Sequence, residues 1–400
     1  MGFIAPRLDV IKPSPSMAIS AQAIEMRAAG IDVISLSAGE PDFPTPPHVV
    51  EAAYEAMRKG ETRYTAVDGT AALKKAIVGK FRRENGLDYQ ASEISVAGGA
   101  KQIIYNALLA TLAPGDEVIV PAPCWVSYTD IVRLGEGTPV VVPCPEADGF
   151  KLTPRALRSA ITAQTKWLIL NTPSNPTGAV YSCEELEGLA AVLLDHPRVH
   201  VLTDDIYEHI LFDGRTFHTI AAVESRLKER TLTVNGVSKA YAMTGWRIGY
   251  AGGPEALIRA MATVQSQSTS NPCSISQAAT IAALEGPQEF LRPRAQEFQA
   301  RRDRALKLLR AVPGLTCRTP EGAFYLYPDC SGLVGRRRSD GAQIRNDDDV
   351  ARYLLDHARV AVVQGSAYDL SPYFRISIAA SMDQIEGAIG RIAEAVEALR

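Results

Sequence analysis

The chain has 400 residues, of which 46% are hydrophobic and 22% charged, with a formal net charge of −3. That length exceeds what a single core usually holds, so two units are expected, and the near-neutral balance gives no basis for a nucleic-acid or anionic-membrane partner. Six cysteines form no C-x-x-C pair and no metal-like grouping with the six histidines, which predicts reduced thiols, a cytoplasmic setting and no bound metal, and no apolar run approaches the ~20 residues of a membrane span.

The N-terminal stretch is proline-rich at 12–16, then predicts a helix over 18–29, a short strand at 33–36 and a Gly/Pro-rich turn at 38–46. From about residue 70 to 285, apolar strand-like runs alternate with amphipathic segments, the pattern of an α/β fold with a mostly parallel sheet covered on both faces. The strand candidates are 117–120, 139–142, 167–171, 200–203, 231–234 and 248–251; helices are expected to begin near Ala100, Cys183, Pro254 and Ser274. Beyond the charged segment 289–309 the strands at 322–327, 360–363 and 373–378 stand apart, followed by terminal helix, which reads as a smaller α+β unit. The expected division is therefore an N-terminal arm (1–46) packing with the small domain, a large domain (47–288) and the small C-terminal domain (289–400).

Ligands of an open parallel sheet sit beyond the carboxyl ends of its strands, so the residues just after each run deserve inspection. Lys239 follows 231–238 and precedes Arg247 by eight residues, an amine placed to condense with an aldehyde while a hydroxyl (Ser238) and a guanidinium hold an anion. Gly98-Gly99 opens a helix at Ala100-Lys101, offering backbone N–H groups to the same anion, although no Walker A or G-x-G-x-x-G fingerprint accompanies them. Asp204 suits either a helix cap or the carboxylate that a pyridine nitrogen requires. Tyr207 and Asn175, the latter in Asn171-Thr172-Pro173-Ser174-Asn175-Pro176-Thr177-Gly178, can hydrogen-bond a ring phenolate; Trp125 is either a core residue or a stacking face. The combination points to pyridoxal phosphate.

Taken together, these segments resemble the class I pyridoxal-phosphate aminotransferases of fold type I, and most closely their prokaryotic-type (γ subgroup) aspartate aminotransferases. The likeness runs from Ser37-Ala38-Gly39-Glu40-Pro41-Asp42 to Phe374-Arg375-Ile376-Ser377. It implies a Schiff base on Lys239, an ion pair from Asp204 to the ring nitrogen, and contacts from Tyr207 and Asn175 to the ring hydroxyl, with Trp125 on the ring face. The phosphate would lie among Gly99, Ala100, Lys101, Ser238 and Arg247, with Tyr64 reaching it from a second subunit, so that a homodimer shares its active sites. Arg375 and the Gly39 N–H would clamp the substrate's α-carboxylate, beside Trp125 and Asn175, with Lys239 as the general base of a ping-pong transamination.

The distal carboxylate of a dicarboxylic substrate has no arginine in 265–272, and the resemblance assigns it to Lys101. The expected reaction is L-aspartate with 2-oxoglutarate to oxaloacetate and L-glutamate. Prephenate/glutamate or aromatic amino acid transamination, or a β-eliminating lyase, are the alternatives; Ser16 stands where prephenate-active relatives carry a threonine. Two departures, Gln364-Gly365 for Pro-Gly and Tyr368-Asp369 for Phe-Gly, bear on the substrate end.

Overall fold

The computed structural model describes residues 3–11 and 15–400; the side chains of Pro6, Pro15, Ser16, Met17 and Ser20 are outside that description, and so are the Ser16 expectation and the proline-rich residues 12–14. Twelve strands are found among the described residues: β1 (Ile34–Ser35), β2 (Ile94–Ala97), β3 (Glu117–Ala122), β4 (Thr138–Pro143), β5 (Thr165–Asn171), β6 (His200–Asp204), β7 (Thr231–Gly236), β8 (Gly249–Gly252), β9 (Tyr325–Leu326), β10 (Val360–Ala361), β11 (Val363–Gln364) and β12 (Phe374–Ser377). Seven of them form the main sheet in the order β2-β8-β7-β6-β5-β3-β4. The central strands β6 and β7 are buried almost end to end, as expected of strands covered on both faces.

Helix Ala100–Thr111 buries Ile103, Ile104, Ala107 and Leu108, one stripe at helical spacing. Helix Cys183–Leu194 starts at a capping box in which Ser182 and Glu185 satisfy each other's backbone N–H, and it buries Leu186, Leu189, Ala190 and Leu193. Both helices join strands that run parallel, so the crossovers return each chain end to the same rim. The carboxyl ends of β3, β5, β6 and β7 therefore share one edge, with Asn171 directly beside Asp204 in register.

Strand β8 is antiparallel to both β7 and β2, pairing Gly236 with Gly249 and Ala97 with Gly249. This reversal brings the residues that precede β8, including Arg247, to the rim where the other strands deliver the residues that follow them. The four-residue β2 was not among the expected strands: Ile-Ser-Val-Ala is too short to display alternation, and its burial comes from tertiary packing.

A second assembly contains the antiparallel sheet β11-β12-β9 and the mutually packed helices Leu291–Leu309 and Met382–Glu397. Strand β1 pairs in parallel with β10, Ile34 opposite Val360 and Ser35 opposite Ala361. Arg391 Nη1 adds a 3.0 Å bond to the Asp32 carbonyl. One apolar core is continuous across the two assemblies, running from Val118, Ile169 and Leu202 of the main sheet to Phe298, Phe324 and Ile376. No helix among the described residues is long and apolar enough to cross a membrane.

Candidate active site

A cavity of about 380 Å³ opens at the shared rim, where the two assemblies face each other. Lys239, three residues past β7, lines it and donates from Nζ to the Gly39 carbonyl at 2.7 Å. Burial, reinforced by the positive charge of Arg375, pulls this amine down from 10.5 to about 8. It is thus a far better nucleophile near neutral pH than a solvated lysine.

Asp204 closes β6 and is 5% exposed, and the residues after it form a turn, so the helix-cap alternative is excluded. Its Oδ2 accepts a 2.7 Å bond from the Tyr128 hydroxyl, while Oδ1 is buried with no hydrogen-bond partner among the described residues. Burial raises the Asp204 pKa, with the Tyr128 bond, the Ile206 backbone N–H and the Lys239 charge opposing. A buried carboxylate with one oxygen unsatisfied fits a cationic or N–H-bearing ligand. Tyr207 is also buried, its hydroxyl 2.9 Å from that of Tyr325, and burial pushes it well above the ordinary phenol value, so it remains a proton donor. The turn carrying Tyr207 is anchored by Glu208, which pairs with the wholly buried Lys80 and accepts a 2.6 Å bond from Asn85.

The other end of the cavity is built for an anion. Ala100 and Ser238 line it at the start of helix Ala100–Thr111, where backbone N–H groups lack intrahelical partners. Arg247 sits at φ +56°, its guanidinium held by the Thr244 carbonyl at 2.9 Å and the Gly98 carbonyl at 3.1 Å. Gly99, at φ +101°, has no room for a side chain because a Cβ would run into that guanidinium; at Gly249 a Cβ would run into the backbone of Gly99 and Ala100.

Opposite, the 4% exposed Arg375 of β12 donates from Nη1 to Asn175 Oδ1 at 2.9 Å and from Nη2 to the Ser37 carbonyl at 2.6 Å. Its guanidinium lies 4.4 Å from the Tyr325 ring centre and 5.2 Å from that of Tyr368, within cation–π range of both rings. Lys101 opens to solvent with Nζ 4.8 Å from the centre of the Trp125 ring. Partial desolvation and the nearby Arg247 charge lower its pKa.

Lys239, Asp204, Tyr207, Asn175, Trp125, Ala100, Lys101, Ser238, Arg247, Gly39 and Arg375 therefore converge on one cavity. Two expected residues do not line it. Gly99 stands behind Arg247, where it makes space rather than contact. Tyr64 is 92% exposed, away from the cavity of its own chain. Gly39 differs in detail, since it is its carbonyl that accepts a bond from the Lys239 amine. Tyr128, Tyr325 and Ser37 were not foreseen as site residues; the one signal available was that Tyr128 follows Trp125 by three, and the two rings meet edge to face at 5.3 Å. Of the two departures, Tyr368 packs on Arg375, and Gln364 pairs with Phe374 in the small sheet.

Residues 31–392 match the family model described as aminotransferase class I and II. The aspartate aminotransferase of Rhizobium meliloti (strain 1021) is 56% identical over 395 residues, covering 99% of this chain and 96% of that one. A probable aspartate/prephenate aminotransferase of Rickettsia felis is 54% identical over 395 residues, covering 99% and 97%. Among solved structures, the aspartate aminotransferase of Thermus thermophilus with maleate superposes with a TM-score of 0.92 at 43% identity, covering 99% of this chain and 100% of that one. The chain belongs to the class I and II aminotransferases, a pyridoxal-phosphate-dependent family of fold type I.

Proposed function

We propose that this aminotransferase moves the amino group of L-aspartate to 2-oxoglutarate, forming oxaloacetate and L-glutamate, with pyridoxal phosphate held on Lys239. The observation that carries the reading is the meeting of a desolvated amine, a buried carboxylate with one unpaired oxygen and a buried guanidinium around a single cavity. This set is complementary to the cofactor: Lys239 for its aldehyde, Asp204 for its ring nitrogen, Asn175 and Tyr207 for its ring hydroxyl, Trp125 for its ring face. The helix start at Ala100, with Lys101, Ser238 and Arg247, suits its phosphate.

Bound pyridoxal phosphate supplies an electron-withdrawing ring that acidifies the substrate's Cα–H. Arg375 receives the α-carboxylate in its planar fork, helped by the Gly39 backbone, and so presents the Cα–H to Lys239. Lys239 Nζ would take that proton as general base. Asp204 would face the ring nitrogen, where its carboxylate would favour a positive charge.

Lys101 is the group we assign to the distal carboxylate of a dicarboxylic substrate. A relative solved with maleate, a dicarboxylate, supports that assignment. A second reading, prephenate as an alternative amino acceptor, is favoured by relatives at 53–55% identity that are named for both substrates. We further assign residues 1–46 and 289–400 to one unit around the large domain 47–288, a division supported by the pairing of β1 with β10. Finally, we assign a cytoplasmic homodimer in which the exposed Tyr64 serves the partner's phosphate site.

Mixing the protein with L-aspartate and no 2-oxo acid tests the reaction. About one oxaloacetate per Lys239 is expected in a single burst, as in any ping-pong first half. Oxaloacetate that forms only once 2-oxoglutarate is added contradicts it.

A further inference from the structure

We infer that Tyr128 is a positioning residue: its hydroxyl commits one oxygen of Asp204 to the protein and so reserves the other for the ring nitrogen of pyridoxal phosphate. This inference rests on the functional reading above and extends it to a residue outside the expected set.

The geometry is specific. Tyr128 enters from the start of helix Ser127–Leu134, just beyond β3, and reaches across β5 to the end of β6. It is 2% exposed, and its Oη–Asp204 Oδ2 distance of 2.7 Å is that of a charge-assisted bond. The edge-to-face contact with Trp125, at 85°, restrains the phenol ring and with it the position of the hydroxyl oxygen. No other side chain among the described residues bonds to the Asp204 carboxylate, and among them Oδ1 has no hydrogen-bond partner.

The chemistry explains why a phenol serves here. Burial works against an ionised Asp204, and an O–H bond to the charged form works for it without adding a compensating charge. A lysine or arginine in its place would compete with the ring nitrogen for the same carboxylate. Burial and the Asp204 charge raise the Tyr128 pKa well above the ordinary value, so the hydroxyl keeps its proton and donates.

The competing explanation is that Tyr128 only fills space. Two compounds separate the two: pyridoxal phosphate, and its 1-deaza analogue in which C–H replaces the ring nitrogen. Equilibrium dialysis of each against the apo forms of wild type and Tyr128→Phe is the measurement. We expect the variant to lose about tenfold in affinity for pyridoxal phosphate, the loss of one hydrogen bond to a charged acceptor, and less than about twofold for the deaza analogue. In an Asp204→Asn background the same substitution should cost nothing further. Equal losses for both compounds, or no loss for either, overturn the inference, the unchanged analogue affinity also serving as the check that the variant is folded. A wild type that binds neither compound overturns the functional reading together with this one.

Discussion

Lys239 titrates at about 8 because burial and the charge of Arg375 disfavour its ammonium. The sign has two consequences. In the folded protein the free amine predominates above pH 8, so covalent uptake of pyridoxal phosphate by the apo-protein should accelerate about tenfold per pH unit below 8 and level off above it; acceleration continuing to pH 10 in stopped-flow absorbance would mean an unperturbed lysine. The unfolded chain binds this proton more tightly, so the cost of burying the charge is full below pH 8 and is relieved as pH rises from 8 towards 10.5. Lys101 carries a different prediction. Lys101→Ser should raise the KM for aspartate at least about tenfold while changing that for an aromatic amino acid little, because only a dicarboxylate loses an ionic partner; equal changes in steady-state assays would remove Lys101 from its assigned role. Lys239, Asp204 and Arg375 could be singled out in the sequence from the short motifs around them, Ser238-Lys239, Asp204-Asp205-Ile206-Tyr207 and Phe374-Arg375-Ile376-Ser377, although their hydrogen-bond partners Gly39, Tyr128, Asn175 and Ser37 lie far along the chain. Tyr128 and Tyr325 could not be, since no such motif surrounds them and their hydroxyl partners, Asp204 and Tyr207, lie 76 and 118 residues away.

The parallel strand β5, with its apolar run from Trp167 to Leu170, was readable because burial on both faces leaves little else for those residues to do. The direction of β8 was not, because a strand's side chains alternate identically whichever way it runs. Yet that direction decides the site, as only a reversed β8 delivers Arg247 to the rim. The reversal demands close approach between β8 and the start of helix Ala100–Thr111, which Gly249 permits. We expect Gly249→Ala to push the two apart, weakening pyridoxal phosphate binding about tenfold or more and costing roughly 1–3 kcal/mol of stability. Equilibrium dialysis and urea unfolding check the two effects; an unchanged phosphate site would show that the backbone yields elsewhere.

At the scale of the whole molecule, the exposed Tyr64 and the buried Lys239 make different demands on assembly. If Tyr64 serves the partner, then Tyr64→Ala and Lys239→Ala chains, each inactive alone, should form hybrid dimers with one intact site apiece. Random mixing of equal amounts predicts about a quarter of wild-type activity, and no recovery after co-refolding would place Tyr64 outside the catalytic assembly. The same scale gives the bond between Arg375 and the Ser37 carbonyl its meaning, together with the β1–β10 pairing. Translation proceeds from the N-terminus, so β1 and Ser37 leave the ribosome more than 300 residues before the strand and guanidinium that complete them. The residues proposed to hold the ring and phosphate, Lys239 and Arg247 among them, are therefore all synthesised before the proposed carboxylate clamp at Arg375 exists. Under this assignment the grip on the α-carboxylate is the last part of the site to be made, and a chain cut short before residue 375 never acquires it.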